Sequence, residues 1–597
     1  MNNIPADSYQ SIVKQTTTKI IKLKKQLLLY SLVRLLFFLL ALVSPFIFYN
    51  ISLWGTIVVF IVLMGFFVWA VKKHISLASE KEFYQHILQI NNDELKAIDH
   101  KFLHFDDGTK YINPDHFYTY DLDIFGRGSL FQFLNRTVTP QGHRLLAKML
   151  SEPLNNASEI IERQKLINEL SQQVEWRQNF AATGKLYAET EAEVDWLLNW
   201  KTDTFKLNTN KIIKVLLIAL PVFAVFSIVH WAVSGNSTVF IFSALLQFCF
   251  WFLEQKNINR IYSQFGKREG LLKKYARLLT LIERFEWKSN EAKQMLANFG
   301  ANALPSKEIK HLEKIISAFD NRNNLLIGVV LNVTLLWDVM CSYRIILWHN
   351  RNRHYFDKWM NAIALVDAAC SLANFAYNNN GFCFPTIIEE DGFSLQATQM
   401  GHPLIHPKKR VDNDFSFGNN KILIVTGANM AGKSTFLRTI GVNMVLGMCG
   451  APVCAQNMCF KPVELFSNMR TSDSLFDDES YFFAELKRIK AILDEVDKGR
   501  ELLIILDEIL KGTNSVDKLA GSQKLIKRLI KSKVPSIIAT HDLKLTELEA
   551  DYPDDVQNMC FEIVIENNEM KFDYLLRNGA TTIMNASFLM KKMGIIN

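Results

Sequence analysis

The apolar positions of this chain follow two kinds of pattern. Long charge-poor runs occupy residues 27–49, 51–71, 215–233 and 238–253, whereas the other apolar residues recur with helical spacing or in short strand-length blocks. Each long run approaches the ~20 residues that carry a helix across a bilayer. A polar-aromatic break near 50–54 separates the first two, and Ser234-Gly235-Asn236-Ser237 separates the second two, so each pair predicts a helical hairpin. A buried core hairpin is the competing reading, but core helices seldom run so far without charge. Arg34 is placed to snorkel, and Trp54 and Trp69 suit interfacial positions. The run at 238–253 is short for a span and carries Gln247. A fifth run at 325–336 is shorter still and continues into Asp338 and Arg344, so it reads as an amphipathic soluble helix.

Between and after the hairpins the pattern is helical. Phe131, Leu134, Leu145, Leu146 and Met149 suit helix faces broken at Thr139-Pro140, and the Lys/Glu-rich stretch 307–314 reads as a solvated face. The period changes in the C-terminal third. Residues 421–425, 502–506 and 535–539 read as short buried strands, and 502–506 is an unbroken apolar block, as a parallel sheet covered on both faces requires.

Charge refines the hairpin reading. The formal net charge of +7 over 597 residues suits contact with nucleic acid or anionic lipid. Lys24 and Lys25 precede the first pair, and Lys72, Lys73 and His74 follow it; Lys206, Lys211 and Lys214 precede the second, and Lys256, Arg260, Lys267 and Arg268 follow it. Both ends of each hairpin are therefore expected on the cytoplasmic side, which returns the C-terminal third to the cytoplasm. No small-residue cleavage site follows the first run, so a removed signal peptide is not expected. The eight cysteines form no CxxC pair and read as reduced packing residues.

The chemistry is concentrated after residue 420. Thr426-Gly427-Ala428-Asn429-Met430-Ala431-Gly432-Lys433-Ser434-Thr435 lies between a predicted strand and a predicted helix, the setting a phosphate-binding loop needs. Gly427 and Gly432 let backbone N–H groups converge on a phosphate, Lys433 would reach the outer phosphates, and the Ser434 hydroxyl would ligate Mg²⁺. The block 502–506 ends in Asp507 and Glu508, with Asp507 expected on Mg²⁺ and Glu508 on the attacking water. The block 535–539 leads to His541, which would sense the γ-phosphate. The expected reaction is hydrolysis of ATP.

Beyond that reading, the residues resemble the MutS mismatch-repair ATPases, within the ABC-type ATPase class. The phosphate loop with its Asn429-Met430 pair, the stretch from Leu506-Asp507-Glu508 to Gly512-Thr513-Asn514-Ser515, Ala539-Thr540-His541, and Ser480, Phe482 and Glu485 are similar to that family's signatures. The stretch 134–146 resembles the start of its helical lever, and Pro385-Thr386-Ile387 through Gly401-His402-Pro403 its return into the ATPase. The resemblance covers roughly 120–205 and 320–597. It implies a homodimer through the ATPase domains, with ATP at the interface and Ser480 approaching the γ-phosphate of the opposite subunit. It also implies DNA as a partner and a role related to mismatch repair.

The departures shape the expected organisation. An apolar hairpin stands where the family carries its mismatch-reading domain, and a second one interrupts the lever. The chain therefore reads as a multidomain α and α/β protein anchored in the lipid bilayer, integral to the cytoplasmic membrane with its ATPase domain facing the cytoplasm. Its expected parts are a basic cytoplasmic N-terminus at 1–25, a transmembrane helical hairpin at 26–72, an all-α lever or core at 73–205, a second transmembrane hairpin at 206–255, the rest of the core at 256–400, and a C-terminal P-loop α/β ATPase domain of ABC type at 401–597. Two rival readings are a module tethering DNA through Lys267, Arg268, Lys273 and Lys274, and an ATP-driven membrane machine with no mismatch recognition.

Overall fold

The charge-poor runs are embedded in helices longer than themselves. In the computed structural model, which describes residues 4–48, 53–199, 211–300, 304–389, 392–418, 421–470, 481–511, 513–566 and 569–581, α1 spans Ile4–Phe48 and α2 spans Leu53–Ile98. Their 45 and 46 residues make rods of about 68 Å, roughly twice the ~30 Å bilayer core. The apolar halves lean on each other, with Phe37 stacked on Phe66 and Tyr30 edge-on to Trp69, and otherwise expose side chains such as Phe46 and Trp54. The polar halves dock on the rest of the protein. Residues 4–25, expected within a basic cytoplasmic N-terminus, form the base of α1, where buried Tyr9 donates to Asn378 Oδ1 at 2.8 Å.

The helical core follows as α3 Leu130–Leu134, α4 Pro140–Ser151, α5 Ala157–Ser171, α6 Val174–Lys185 and α7 Glu191–Asn199. The second hairpin is α8 Lys211–Ser234 and α9 Thr238–Phe265. The core then resumes with α10 Glu269–Arg284, α11 Asn290–Ala297, α12 Pro305–Asp320, α13 Leu325–Leu335, α14 Trp337–Asn352 and α15 Phe356–Asn378. The break between α4 and the preceding loop is built: Thr139 caps α4, and the buried Asp367 carboxylate of α15 accepts from Thr139 Oγ1 at 2.6 Å, Thr139 N at 2.8 Å and Val138 N at 3.1 Å.

Among the described residues five helices are long and apolar enough to cross a membrane. The most apolar stretch of α15 is 72 % buried in the protein, against 11–17 % in α1, α2, α8 and α9, so α15 is a core helix and the other four present apolar faces outward. Gln247 on α9 is fully buried and donates to Leu220 O at 3.2 Å, tying α9 to α8 just before Pro221, where the helix lacks a backbone donor. The expectation of an amphipathic helix at 325–336 fails. Leu326, Ile327 and Val330 of α13 are exposed, and at Leu336, in left-handed conformation, the chain turns 76° into α14.

The C-terminal third holds two sheets. β1 Thr386–Ile387, β2 Ser394–Met400, β3 Asn413–Gly418 and β5 Asn457–Phe460 form one, in the order β1-β5-β2-β3. The other comprises β4 Ile422–Gly427, β6 Glu464–Asn468, β7 Leu502–Asp507, β8 Ser536–Ala539, β9 Val556–Glu566 and β10 Glu569–Asn578, in the order β10-β9-β4-β8-β7-β6, parallel except for the β9–β10 pair. Helices α16 Lys433–Met448, α17 Tyr481–Asp497, α18 Ser515–Lys531 and α19 Leu548–Asp551 complete the domain. β4, β7 and β8 are buried almost throughout, as their largely apolar sequences demand.

Candidate active site

Strand register brings the chemistry together. Val425 pairs with Ala539, and Ala539 pairs with Asp507, so β4, β8 and β7 end level at the carboxyl edge of the sheet, the edge where parallel α/β sheets bind ligands. The loop after β4, the carboxylates after β7 and the histidine after β8 therefore share one edge.

The loop's geometry is that of a phosphate cradle. Gly427 has φ 149°, and a Cβ there would stand 2.7 Å from Phe561 O. Gly432, at φ 112°, is the N-cap of α16, whose first backbone N–H groups are not used by its own ladder and point into the loop. Met430 holds φ 66°, a strained choice for a non-glycine residue. Ala428 and Ala431 are buried, whereas Asn429, Met430, Ser434 and Thr435 face outward. Lys433 is buried, and its Nζ donates to Gly427 O at 2.8 Å and Ala428 O at 3.0 Å and stands 3.4 Å from His541 Nε2. Burial pushes its pKa down to about 8, against the opposing pull of Asp507 and Glu508. A lysine so desolvated favours an anion beside it.

Glu508 occupies a second strained position, φ 59°, with its N–H donating to Ala539 O at 2.9 Å. Its Oε1 accepts from Lys518 Nζ of α18 at 2.7 Å. Burial raises this carboxyl, but Lys518, His541 and Lys511 outweigh it, so the group stays ionised, as a base must be. Burial, then the charge of Lys433, lowers the pKa of His541 and favours its neutral imidazole. Ser434 and Asp507 offer hard oxygens on this edge, a donor set that fits Mg²⁺, which takes one or two protein oxygens plus phosphate and water. Bound there, it would neutralise charge on the phosphates. Ser480 lies outside the described residues.

Two parts of the site escaped the sequence reading. Glu485, read only as a signature residue, is buried and accepts from Leu510 N at 2.6 Å and Lys511 N at 3.0 Å, so α17 holds the loop that follows Glu508. Beside Gly432 and Thr435 opens a cavity of about 290 Å³ walled by His402, Arg410, Phe436, Phe561 and Tyr574. Burial drives the pKa of His402 down to about 4, with Arg438 adding to the shift, so the ring is neutral. Gly401-His402-Pro403 was the available signal; it reads as a connector until the sheets bring it beside the loop.

Comparison with known proteins agrees with this geometry. The MutS domain V model matches residues 423–591, starting within β4, and the MutS domain III model matches residues 118–195. The chain carries two domains of the MutS family. Its MutS relatives include the DNA mismatch repair protein MutS of Finegoldia magna, 31 % identical over 256 residues that make up 41 % of this chain and 29 % of the relative. The protein of the same name from Clostridium kluyveri is 31 % identical over 229 residues, 36 % of this chain and 26 % of the relative. That of Desulfatibacillum aliphaticivorans is 31 % identical over 242 residues, 39 % and 26 % respectively. The chain thus spans little more than a quarter of the length of the curated MutS proteins it matches. MutS domain V is the family's ATPase domain, and the two matched MutS segments flank the α8–α9 hairpin without including it.

Proposed function

We propose that this chain is a membrane-anchored MutS-type ATPase, integral to the cytoplasmic membrane with its ATPase domain on the cytoplasmic side. The level ends of β4, β7 and β8, which bring Lys433, Glu508 and His541 to one edge, carry the catalytic half of this reading. ATP binds with its phosphates on the loop Gly427–Thr435 and its base and ribose in the adjoining cavity. Lys433 holds the outer phosphates, Ser434 and Asp507 hold Mg²⁺, Glu508 takes the proton of the attacking water and His541 senses the γ-phosphate. Two copies close over ATP, with Ser480 of one facing the nucleotide of the other. The outward apolar faces of α1, α2, α8 and α9 carry the membrane half.

Opening and closing pass to the helical core through a charged joint. Buried Asp121 accepts from Ser467 Oγ at 2.7 Å, Arg470 N at 2.9 Å and Arg488 Nη2 at 3.1 Å, linking the segment before α3 to β6 and α17. DNA is the second reading for what the core acts on, favoured by the names of the relatives. Lys274 is no longer a candidate phosphate contact: it is buried, with Nζ 2.8 Å from Glu189 Oε1 and 3.0 Å from Val138 O, because α10 turns that face inward. Lys267 and Lys273 remain exposed.

The deciding experiment measures ATP hydrolysis by the full chain in lipid vesicles, with and without homoduplex, mismatched or single-stranded DNA at two salt concentrations. Hydrolysis that Glu508→Gln removes supports the ATPase. Stimulation by DNA that fades with salt supports the second reading; recovery of the protein from the aqueous phase without detergent overturns the membrane anchor.

A further inference from the structure

The helix α13 is uncharged and mostly apolar yet exposes much of its apolar surface. Residues 325–337 carry no charge, and Leu326 is 79 % and Val330 61 % exposed, a face that water penalises. α13 packs along α8 and α9, and α8 also exposes Val222 and Phe226. Its 11 residues rise about 16 Å, half the thickness of a bilayer core, so it cannot span.

The position of its far end is held by polar bonds. Asp338, at the start of α14, accepts from Trp251 Nε1 of α9 at 3.2 Å and lies 3.4 Å from Arg322 Nε. Buried Asn332 accepts from Asp338 N at 2.9 Å and donates to Gly328 O at 2.9 Å, which locks the 76° turn. Trp251 is closer than Gln247 to the basic end of α9 with Lys256 and Arg260, so the turn sits at the cytoplasmic end of the hairpin. At the near end Arg322 Nη2 donates to Asn259 Oδ1 at 2.8 Å, about two turns beyond Trp251 towards the basic end of α9.

We propose that α13 is a wedge embedded in the cytoplasmic leaflet, docked on the second hairpin, and that the acyl chains of that leaflet are what cover its exposed face. The proposal rests on the membrane reading of the hairpins. α13 continues through α14 into α15, the helix that holds Thr139 and leads to β1, so the wedge is joined to the ATPase by two helices. Nucleotide-driven movement of α15 would reach the leaflet directly.

The test places an environment-sensitive fluorophore on the full chain in vesicles, at Leu326→Cys or Val330→Cys, with Phe226→Cys as the hairpin control. All three are made in a Cys249→Ser chain that alone serves as the labelling blank. Lipids spin-labelled high or low on the acyl chain report depth, and aqueous iodide reports water. Loss of most emission at 326 and 330 to the high-chain label, with little loss to iodide, is the expected result. Quenching of 226 by lipid while 326 and 330 respond to iodide overturns the wedge and leaves the hairpin reading standing. Shielding of 326 and 330 from both quenchers also overturns it, in favour of protein contact. Failure of lipid to quench any of the three overturns the hairpin reading and the wedge with it.

Discussion

Lys518 Nζ donates to Glu508 Oε1 at 2.7 Å, so the carboxylate assigned as base is paired with a lysine of α18. The pair sets the carboxyl's protonation as well as its orientation, because Lys518 offsets the upward push of burial. Lys518→Met should therefore raise the pKa of Glu508 and move the acid limb of the kcat profile to higher pH. An unmoved limb would remove Lys518 from the site. Glu508→Gln should lower hydrolysis by about 10²–10⁴-fold while leaving nucleotide binding intact; wild-type turnover in that variant would sink the assignment of the base.

The depressed pKa of Lys433 has a signature in binding. Burial holds it at about 8, so as pH rises past that value the free protein loses the ammonium, and a bound triphosphate must restore it. Affinity for ATP should fall as pH rises through this window, and binding should take up protons. Calorimetry in buffers of different ionisation heat reads the uptake directly. Lys433→Ala should abolish binding at every pH.

Arg488 ties the signature helix to the segment before α3. It donates to Ser467 O, Pro114 O, His116 O and the Asp121 carboxylate, a set that only a planar, multi-donor cation can serve. Arg488→Ala would leave Asp121 buried with fewer partners, a loss of about 3 kcal/mol in that joint. Hydrogen exchange should accelerate across residues 114–123, and Arg488→Lys should fail to restore protection. Unchanged exchange would show that the joint does not depend on the arginine.

Asp367 gives the core a pH dependence of defined sign. Burial raises its carboxyl to about 6, although the hydrogen bonds from Thr139 and Val138 pull the other way. The folded state therefore binds a proton more readily than the unfolded chain, where aspartate titrates near ~4. Its stabilising contribution is full below that lower value and is lost as pH rises through about 6. Thermal unfolding should shift upward as pH falls from neutral through this window, and Asp367→Asn should flatten the shift.

Much of this protein is local and so was determined by sequence alone. The phosphate loop, the acidic strand end and the histidine strand end are contiguous stretches whose order and flanking elements follow from residue type, and the hairpins follow from charge-poor length. Tertiary structure decided what depends on distant neighbours. α15 and α9 both pass as spans by length and composition, yet one is core and the other outward, because only packing determines which faces find partners. Lys274 is basic in sequence but buried against Glu189, Glu485 is a motif residue that holds the loop after Glu508, and His402 becomes a cavity wall through the meeting of two sheets. Hydrophobicity and charge are properties of a residue; burial and pairing are properties of its surroundings, and those are assembled only by the fold.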